Sequence, residues 1–284
     1  LVALGLTLIC GVMKILNVAH GSFYAFGAYL SATVIGWWFR EGFPDFGSFL
    51  AMLASAVTIG VVFGLFLERA LLRRMYGRDE VILVLVTFAV FLMLEDVLIW
   101  IWGGDPYFAF EPYMLLGNTA FGSLIYSNYD LALIGLAVFM AAATWFVLSR
   151  TTRGRILVAV IHDPEMSSAF GVNVSKVFTA TFIIGAMLGA LGGAVTAPMI
   201  SVAPGIGVEV IVLPVVVQVT SERAIGGTGS VWGAIIVAVV VGIARAASVH
   251  LLPQVELFVI YGVMTLVLVF RPEGLFMRQK ARKI

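Results

Sequence analysis

Apolar runs long enough, or nearly long enough, to cross a lipid bilayer recur along this sequence at about 21–39, 47–67, 81–102, 129–149, 177–200 and 231–248. Shorter runs follow the same pattern at about 208–220 and 255–270. A helix rises about 1.5 Å per residue against roughly 30 Å of hydrocarbon, so each long run matches one crossing. In lipid every backbone polar group has to be satisfied within the protein, and for continuous apolar runs that leaves the α-helix. The expected fold is therefore all-α, a polytopic transmembrane bundle of about eight spans, organised as a single domain over 1–284. Leu1 to Met13 would reach only about 20 Å as a helix, so it reads as the end of a partial first span whose start lies upstream.

Composition agrees. Charged residues make up 12% of the chain, hydrophobic residues 61%, and the mean hydropathy is +1.07, whereas soluble domains carry about 25% charge. The formal net charge of +1 is sorted by loop rather than gathered on one face, which excludes a nucleic-acid partner. One cysteine, Cys10, lies in an apolar run, so it reads as a small packing residue and no intramolecular disulfide is available.

The basic residues set the orientation. Arg69, Arg73, Arg74 and Arg78 fall in one loop, Arg150, Arg153, Arg155 and Lys176 in a second, and Arg271, Arg278, Lys280, Arg282 and Lys283 in the tail. The positive-inside rule places all three, and so the C-terminus, in the cytoplasm. The loop from Gly103 to Asn128 has neither Lys nor Arg and should face outward, where Trp37, Trp38, Trp100 and Trp102 suit the headgroup level.

The second basic loop, Arg150 to Lys176, is a polar island between two spans. Within it Asp163 is a good N-cap, Pro164 suits the first helical position, Glu165 complements the positive helix end, and Gly171 suits the stop. These predict a short capped helix.

Small residues mark packing faces. Gly185, Gly189 and Gly193, interleaved with alanines, recur at four-residue spacing and would let two helices approach closely; Gly60 and Gly64 carry a weaker form of the same signal. Polar groups inside apolar runs point to protein interior or to a path. Lys14, Asn17, His20, Gly21 and Ser22 interrupt what would be continuous helix, either as a broken helix lining a path or as a tight cytoplasmic turn capped by Asn17. Glu95 and Asp96 sit inside a long apolar run, and Glu209 and Gln218 flank another. Asn17, His20, Glu95, Glu209 and Gln218 are the candidate path residues. Arg245 is a cation in an apolar helix, expected to be paired or to reach an interface. Ser221 to Ala234 is glycine-rich without the lysine or spacing of a phosphate loop, and reads as a tight turn or re-entrant loop.

Catalytic signatures are largely missing: no GxSxG, no HExxH, no Gly-rich loop with GK[ST] and no paired carboxylates in a polar cleft. The three histidines, His20, His162 and His250, lie in separate segments. No enzymatic role, metal or cofactor is expected, and any ATP-driven motor would have to be another chain.

With those residues in view, the chain resembles the permease subunits of branched-chain amino-acid ABC importers, the LivH type. The matching segments are GLTLICGVMKILNVAHGSFYAFGAY at Gly5 to Tyr29, TRGRILVAVIHDPEMSSAFGVNV at Thr152 to Val174, GGTGSVWGA at Gly226 to Ala234, and RPEGLF at Arg271 to Phe276. The resemblance implies a helical permease of the bacterial inner membrane. Its partners would be a second, similar permease, two cytoplasmic ATPase subunits that bind the ATP, and a periplasmic binding protein. It also implies that the polar island is the coupling helix, with Arg153, Arg155, Asp163, Glu165, Ser168 and Gly171 in or beside the ATPase contact. The implied cargo is a branched-chain or other neutral amino acid. Thr220 to Ala224 and the aromatic outer loop depart from the pattern and leave room for urea, short amides or small organic acids. An autonomous secondary transporter would instead call for inverted repeats and midplane ionisable groups.

Overall fold

The computed structural model describes residues 1–121, 124–224, 231–251 and 262. In chain order the helices are α1 (Val2–Met13), α2 (His20–Arg40), α3 (Ser48–Ala70), α4 (Glu80–Trp102), the short α5 (Glu111–Leu115), α6 (Asn128–Arg150), α7 (Thr152–His162), α8 (Pro164–Ala169), α9 (Val174–Thr196), α10 (Ile206–Ala224) and α11 (Val231–Leu251). Four of them, α3, α4, α6 and α9, are both long and apolar enough to cross a membrane. The apolar run at 255–270, the basic tail and most of the glycine-rich turn lie outside the described residues.

Two expectations need correction. The chain is not wholly helical, because a two-stranded antiparallel hairpin, β1 (Asn118–Phe121) with β2 (Leu124–Ser127), interrupts the α4–α6 connection. Thr, Phe, Ile and Tyr favour a pleated strand, and Asn128 anchors the hairpin by accepting from Thr119 Oγ1 at 2.6 Å and donating to the Leu116 carbonyl at 2.8 Å. Ser221 to Ala234, read as a tight turn or re-entrant loop, is helical at both ends: Ser221 to Ala224 continue α10, which carries Pro214 in its interior, and Val231 to Ala234 open α11.

The bundle is organised around α9. One face carries Gly185, Gly189 and Gly193 and receives α1 and α2: Gly185 lies against Gly5 and Ile9, Gly189 against the His20 ring, and Gly193 against the backbone of Tyr24 and Ala28. Gly27 of α2 answers by packing on the backbone of Ala190. On another face α3 runs antiparallel to α9 in a regular register, with Gly60 against Met187, Gly64 against Ile183, and Glu68 bonded to Thr179. Each step is four residues along both helices, so one stripe on each helix runs through the contact. Without a hydrophobic drive between helices in lipid, such close backbone approach is what dispersion and interhelical hydrogen bonds require.

The register also sorts the ends. Tyr76, in the basic loop after α3, meets Phe178 near the start of α9, with ring centroids 5.2 Å apart. The basic loops 71–79 and 150–176 therefore share one end of the bundle. At the other end Tyr107 and Val202 form a backbone bridge, and the Tyr129 hydroxyl donates to the Val195 carbonyl at 2.8 Å. Trp102 donates to Thr33 Oγ1 at 2.8 Å and Trp38 to the Pro44 carbonyl at 3.0 Å, also away from the basic end.

Candidate functional site: a buried polar seam and a capped arm

The helix that begins the seam starts inside the bundle. Lys14 closes α1 in the left-handed conformation, φ 53°, and lines a cleft of about 210 Å³ at the basic end together with Tyr76, Arg78 and Glu80. Six residues later His20 opens α2 beside Val2, Gly5 and Gly189. Gly5 is nine residues before Lys14 on α1, so the chain has climbed back by about 13 Å of helix rise. Residues 14–19 thus run unwound from the basic end into the bundle, and only the Asn17 cap of the turn reading is corrected.

Such backbone survives at depth only where protein satisfies it. Thr87 of α4 does part of this: its hydroxyl accepts from the Val18 amide at 3.3 Å and stands 3.4 Å from the Leu16 carbonyl and 3.0 Å from that of Val84. The first amides of α2 bond back to Asn17, Val18 and Ala19 carbonyls. The Asn17 side chain is no cap; Ala19 is the N-cap residue, without a side-chain bond. Asn17 Nδ2 is buried without a hydrogen-bond partner, and the residue lines a gap with Leu67, Leu72, Thr87 and Phe182 too narrow for a water molecule.

His20 is fully buried. Its Nε2 is 3.1 Å from the Val2 carbonyl, while Nδ1 has no partner. Glycines at 5 and 189 create the space: a Cβ on Gly189 would stand 2.9 Å from Nε2, and one on Gly5 3.0 Å from the same atom. The small-residue stripe on α9 therefore houses an imidazole as well as a neighbouring helix.

Glu95 meets the start of α10. One carboxylate oxygen accepts from the Gly205 amide at 3.3 Å and the other is buried without a partner. Gly205 has φ 89°, and Gly207 packs against Glu95 and Gly21. Glu95 is thereby brought to the same helix start as Glu209, whose side chain is exposed, and Tyr29 is buried with an unpartnered hydroxyl. Gln218 belongs elsewhere: its Oε1 accepts from Thr7 Oγ1 at 2.7 Å, joining α10 to α1. The candidate path residues are consequently dispersed, with Glu209 exposed at the α10 start, instead of converging on one pocket. Among the described residues no group of three His, Cys, Asp or Glu side chains could hold a metal.

At the basic end the arm is built by its caps. Thr151 accepts from the Gly154 amide at 3.0 Å to start α7, and Gly154 lies directly on the backbone of Val147 and Leu148, folding α7 against α6. Asp163 accepts from the Met166 amide at 2.9 Å to start α8, with Pro164 first in the helix. Gly171, φ 84°, takes the left-handed conformation after it, and Asn173 caps α9 through the Lys176 amide at 3.0 Å. Arg153, Arg155, Asp163, Glu165 and Ser168 are exposed. So are Met166 and Phe170, at 56% and 80%.

Glu68 escapes a reading based on runs, since it stands at the border of an apolar segment and a basic loop. It is fully buried, accepting from Thr179 Oγ1 at 2.8 Å and from the Tyr76 hydroxyl at 3.1 Å. Burial and the adjacent Glu68 carboxylate push the Tyr76 hydroxyl well above the ordinary tyrosine range. A usable signal did exist: Gly60, Gly64 and Glu68 share one helix face.

Residues 1–268 match the family described as branched-chain amino acid transport system / permease component. The chain is 27% identical, over its whole length and 93% of the relative's, to the high-affinity branched-chain amino acid transport system permease protein BraD of Pseudomonas aeruginosa. Identity is also 27% to the corresponding protein LivH of Escherichia coli, over the whole chain and 92% of the relative. A shorter match, 32% identical over 37% of this chain and 30% of the relative, joins it to the fructose import permease protein FrcC of Rhizobium meliloti. No solved structure matches the chain.

Proposed function

The chain belongs to the family of permease components of branched-chain amino acid transport systems, and from that premise we propose that it is the membrane-spanning subunit of an ATP-driven importer of branched-chain or similar neutral amino acids. The full-length likeness to BraD and LivH supports the cargo; the fructose relative, matched over about a third of the chain, leaves room for another small polar solute. A second permease, two cytoplasmic ATPases and a periplasmic binding protein complete the assembly in the bacterial inner membrane.

The observation that carries this reading is the capped arm. A short helix held at both ends by its own caps, bearing exposed Met166 and Phe170 between exposed charges, is a rigid handle at the basic end of a helical bundle. Docking of an ATPase there gives rigid-body motion a point of application. Arg153, Arg155, Asp163, Glu165, Ser168 and Gly171 form or flank that contact. Within the bundle, Asn17, His20, Glu95 and Gln218 supply polar groups along the interior, with Glu209 at the α10 start, and a solute path would open beside them.

The test is reconstitution. The chain should co-purify with an ATPase and a binding protein, and Glu165→Lys or Phe170→Ser should leave insertion intact while separating ATP hydrolysis from leucine uptake. Uptake that stays coupled in both variants removes the docking assignment, and failure to associate with any ATPase removes the importer reading.

A further inference from the structure

The buried carboxylate of Glu68 connects three parts of the basic end that the sequence keeps apart. It ends the α3 stripe that packs on α9, it receives Thr179 from the second turn of α9, and it receives Tyr76 from the α3–α4 loop. Thr179 also bonds its own helix, to the Ser175 carbonyl at 3.0 Å. Tyr76 lays its ring edge-on to Phe178, and the surrounding apolar cluster takes in Leu67, Leu72 and Phe182, with Leu157 and Ile161 of α7 packed against it. The arm is tied to the same place, because Val172 donates to the Ser167 carbonyl and Asn173 caps α9 immediately above.

We propose that Glu68 is a positioning residue that makes the α3–α4 loop and the foot of α9 move as one body, so that displacement of the α7–α8 arm enters the bundle through α3 as well as α9. The physical basis is the cost of parting a buried carboxylate from its donors. If the loop moved alone, Tyr76 would leave one oxygen unsatisfied; if α9 moved alone, Thr179 would leave the other. Both bonds survive only when α3, the loop and the foot of α9 move together. Below Glu68, the two four-residue stripes of α3 and α9 are already interlocked at Gly64 with Ile183 and Gly60 with Met187, so the motion has a rigid path inward. This inference rests on the importer reading for its role in coupling, but not for the lock itself.

Two measurements on the reconstituted complex separate these parts. Glu68→Ala, Thr179→Val and Tyr76→Phe are compared with the parent by amide hydrogen exchange over 71–78 and 174–179. Each should speed exchange in the segment it releases, by about tenfold where a bond to a charged group is lost. The same variants should hydrolyse ATP yet import less leucine per ATP, with Glu68→Gln, which retains an acceptor, partly restored. Unchanged exchange overturns the lock, and faster exchange with unchanged uptake per ATP overturns its part in transmission. Should Glu68→Ala fail to insert, the two near-isosteric variants decide. If the parent chain binds no ATPase, the importer reading fails while the exchange comparison still judges the lock.

Discussion

His20 and Gly189 occupy complementary space: the imidazole fills the position a side chain at 189 would need, leaving 2.9 Å between Nε2 and a Cβ built there. The two residues lie on α2 and α9, so the contact fixes where the inner start of α2 meets the central helix. Gly189→Ala should destabilise the purified protein by about 1–3 kcal/mol through overpacking. His20→Ala should relieve part of that loss in the double variant, giving a non-additive cycle in thermal unfolding; strictly additive losses would show that the ring and Cβ do not compete.

Asn17 offers a clean separation of stability from transport. Because its amide nitrogen is buried without a partner and it caps nothing, Asn17→Leu should not cost the ~1 kcal/mol of a lost cap, and removing an unsatisfied donor can even stabilise. Reduced leucine uptake at unchanged thermal stability would place this side chain on the solute path, whereas unchanged uptake would remove it.

Thr87 should behave in the opposite way. Its hydroxyl accepts from the Val18 amide in the unwound segment, and Thr87→Val leaves that part-buried donor unpaired at a cost of about 1 kcal/mol. Thr87→Ser keeps the hydroxyl and should retain most of the stability. Equal unfolding temperatures for Val and Ser variants would contradict this role.

The cap of α8 predicts a local effect. Asp163→Ala removes the acceptor for the Met166 amide and should weaken the arm by about 1 kcal/mol, seen as faster exchange over Pro164–Ala169 with the membrane helices unchanged. Asp163→Asn should preserve protection. Gly171→Val should act similarly, since φ 84° is strained for a β-branched residue.

Tyr76 gives a pH signature. Its hydroxyl is raised above the ordinary tyrosine value by burial and by the Glu68 carboxylate, so the neutral form is the one favoured by folding. Stability from this group is fully present below the unfolded value near 10 and is lost as pH rises through the higher folded value. In ultraviolet titration, the parent minus Tyr76→Phe difference should stay flat through pH 10; a step at the ordinary value would refute the buried contact.

Much of the architecture was legible because its causes are local. Runs of about 20 apolar residues predict helices whatever their neighbours, and the α8 caps involve residues three apart, so Asp163, Pro164 and Gly171 announced that helix from sequence alone. The hairpin was missed because Asn118 to Ser127 is too short and too mixed to stand out beside long apolar helices. Glu68 was missed because a carboxylate next to four arginines looks solvated until its helical face is known.

What the sequence by itself determined, then, is the material of the bundle: apolar helices, the sorting of basic loops at 71–79 and 150–176, a capped polar arm, and glycines at four-residue spacing. Only the tertiary structure decided what those glycines face, that α2 begins inside the bundle, and that Glu68 joins Thr179 and Tyr76. Spacing along a helix specifies a face without specifying a partner. The partner depends on helix register, set by the fit of Gly60 and Gly64 on α9 and of His20 between Gly5 and Gly189, contacts between residues far apart in the chain.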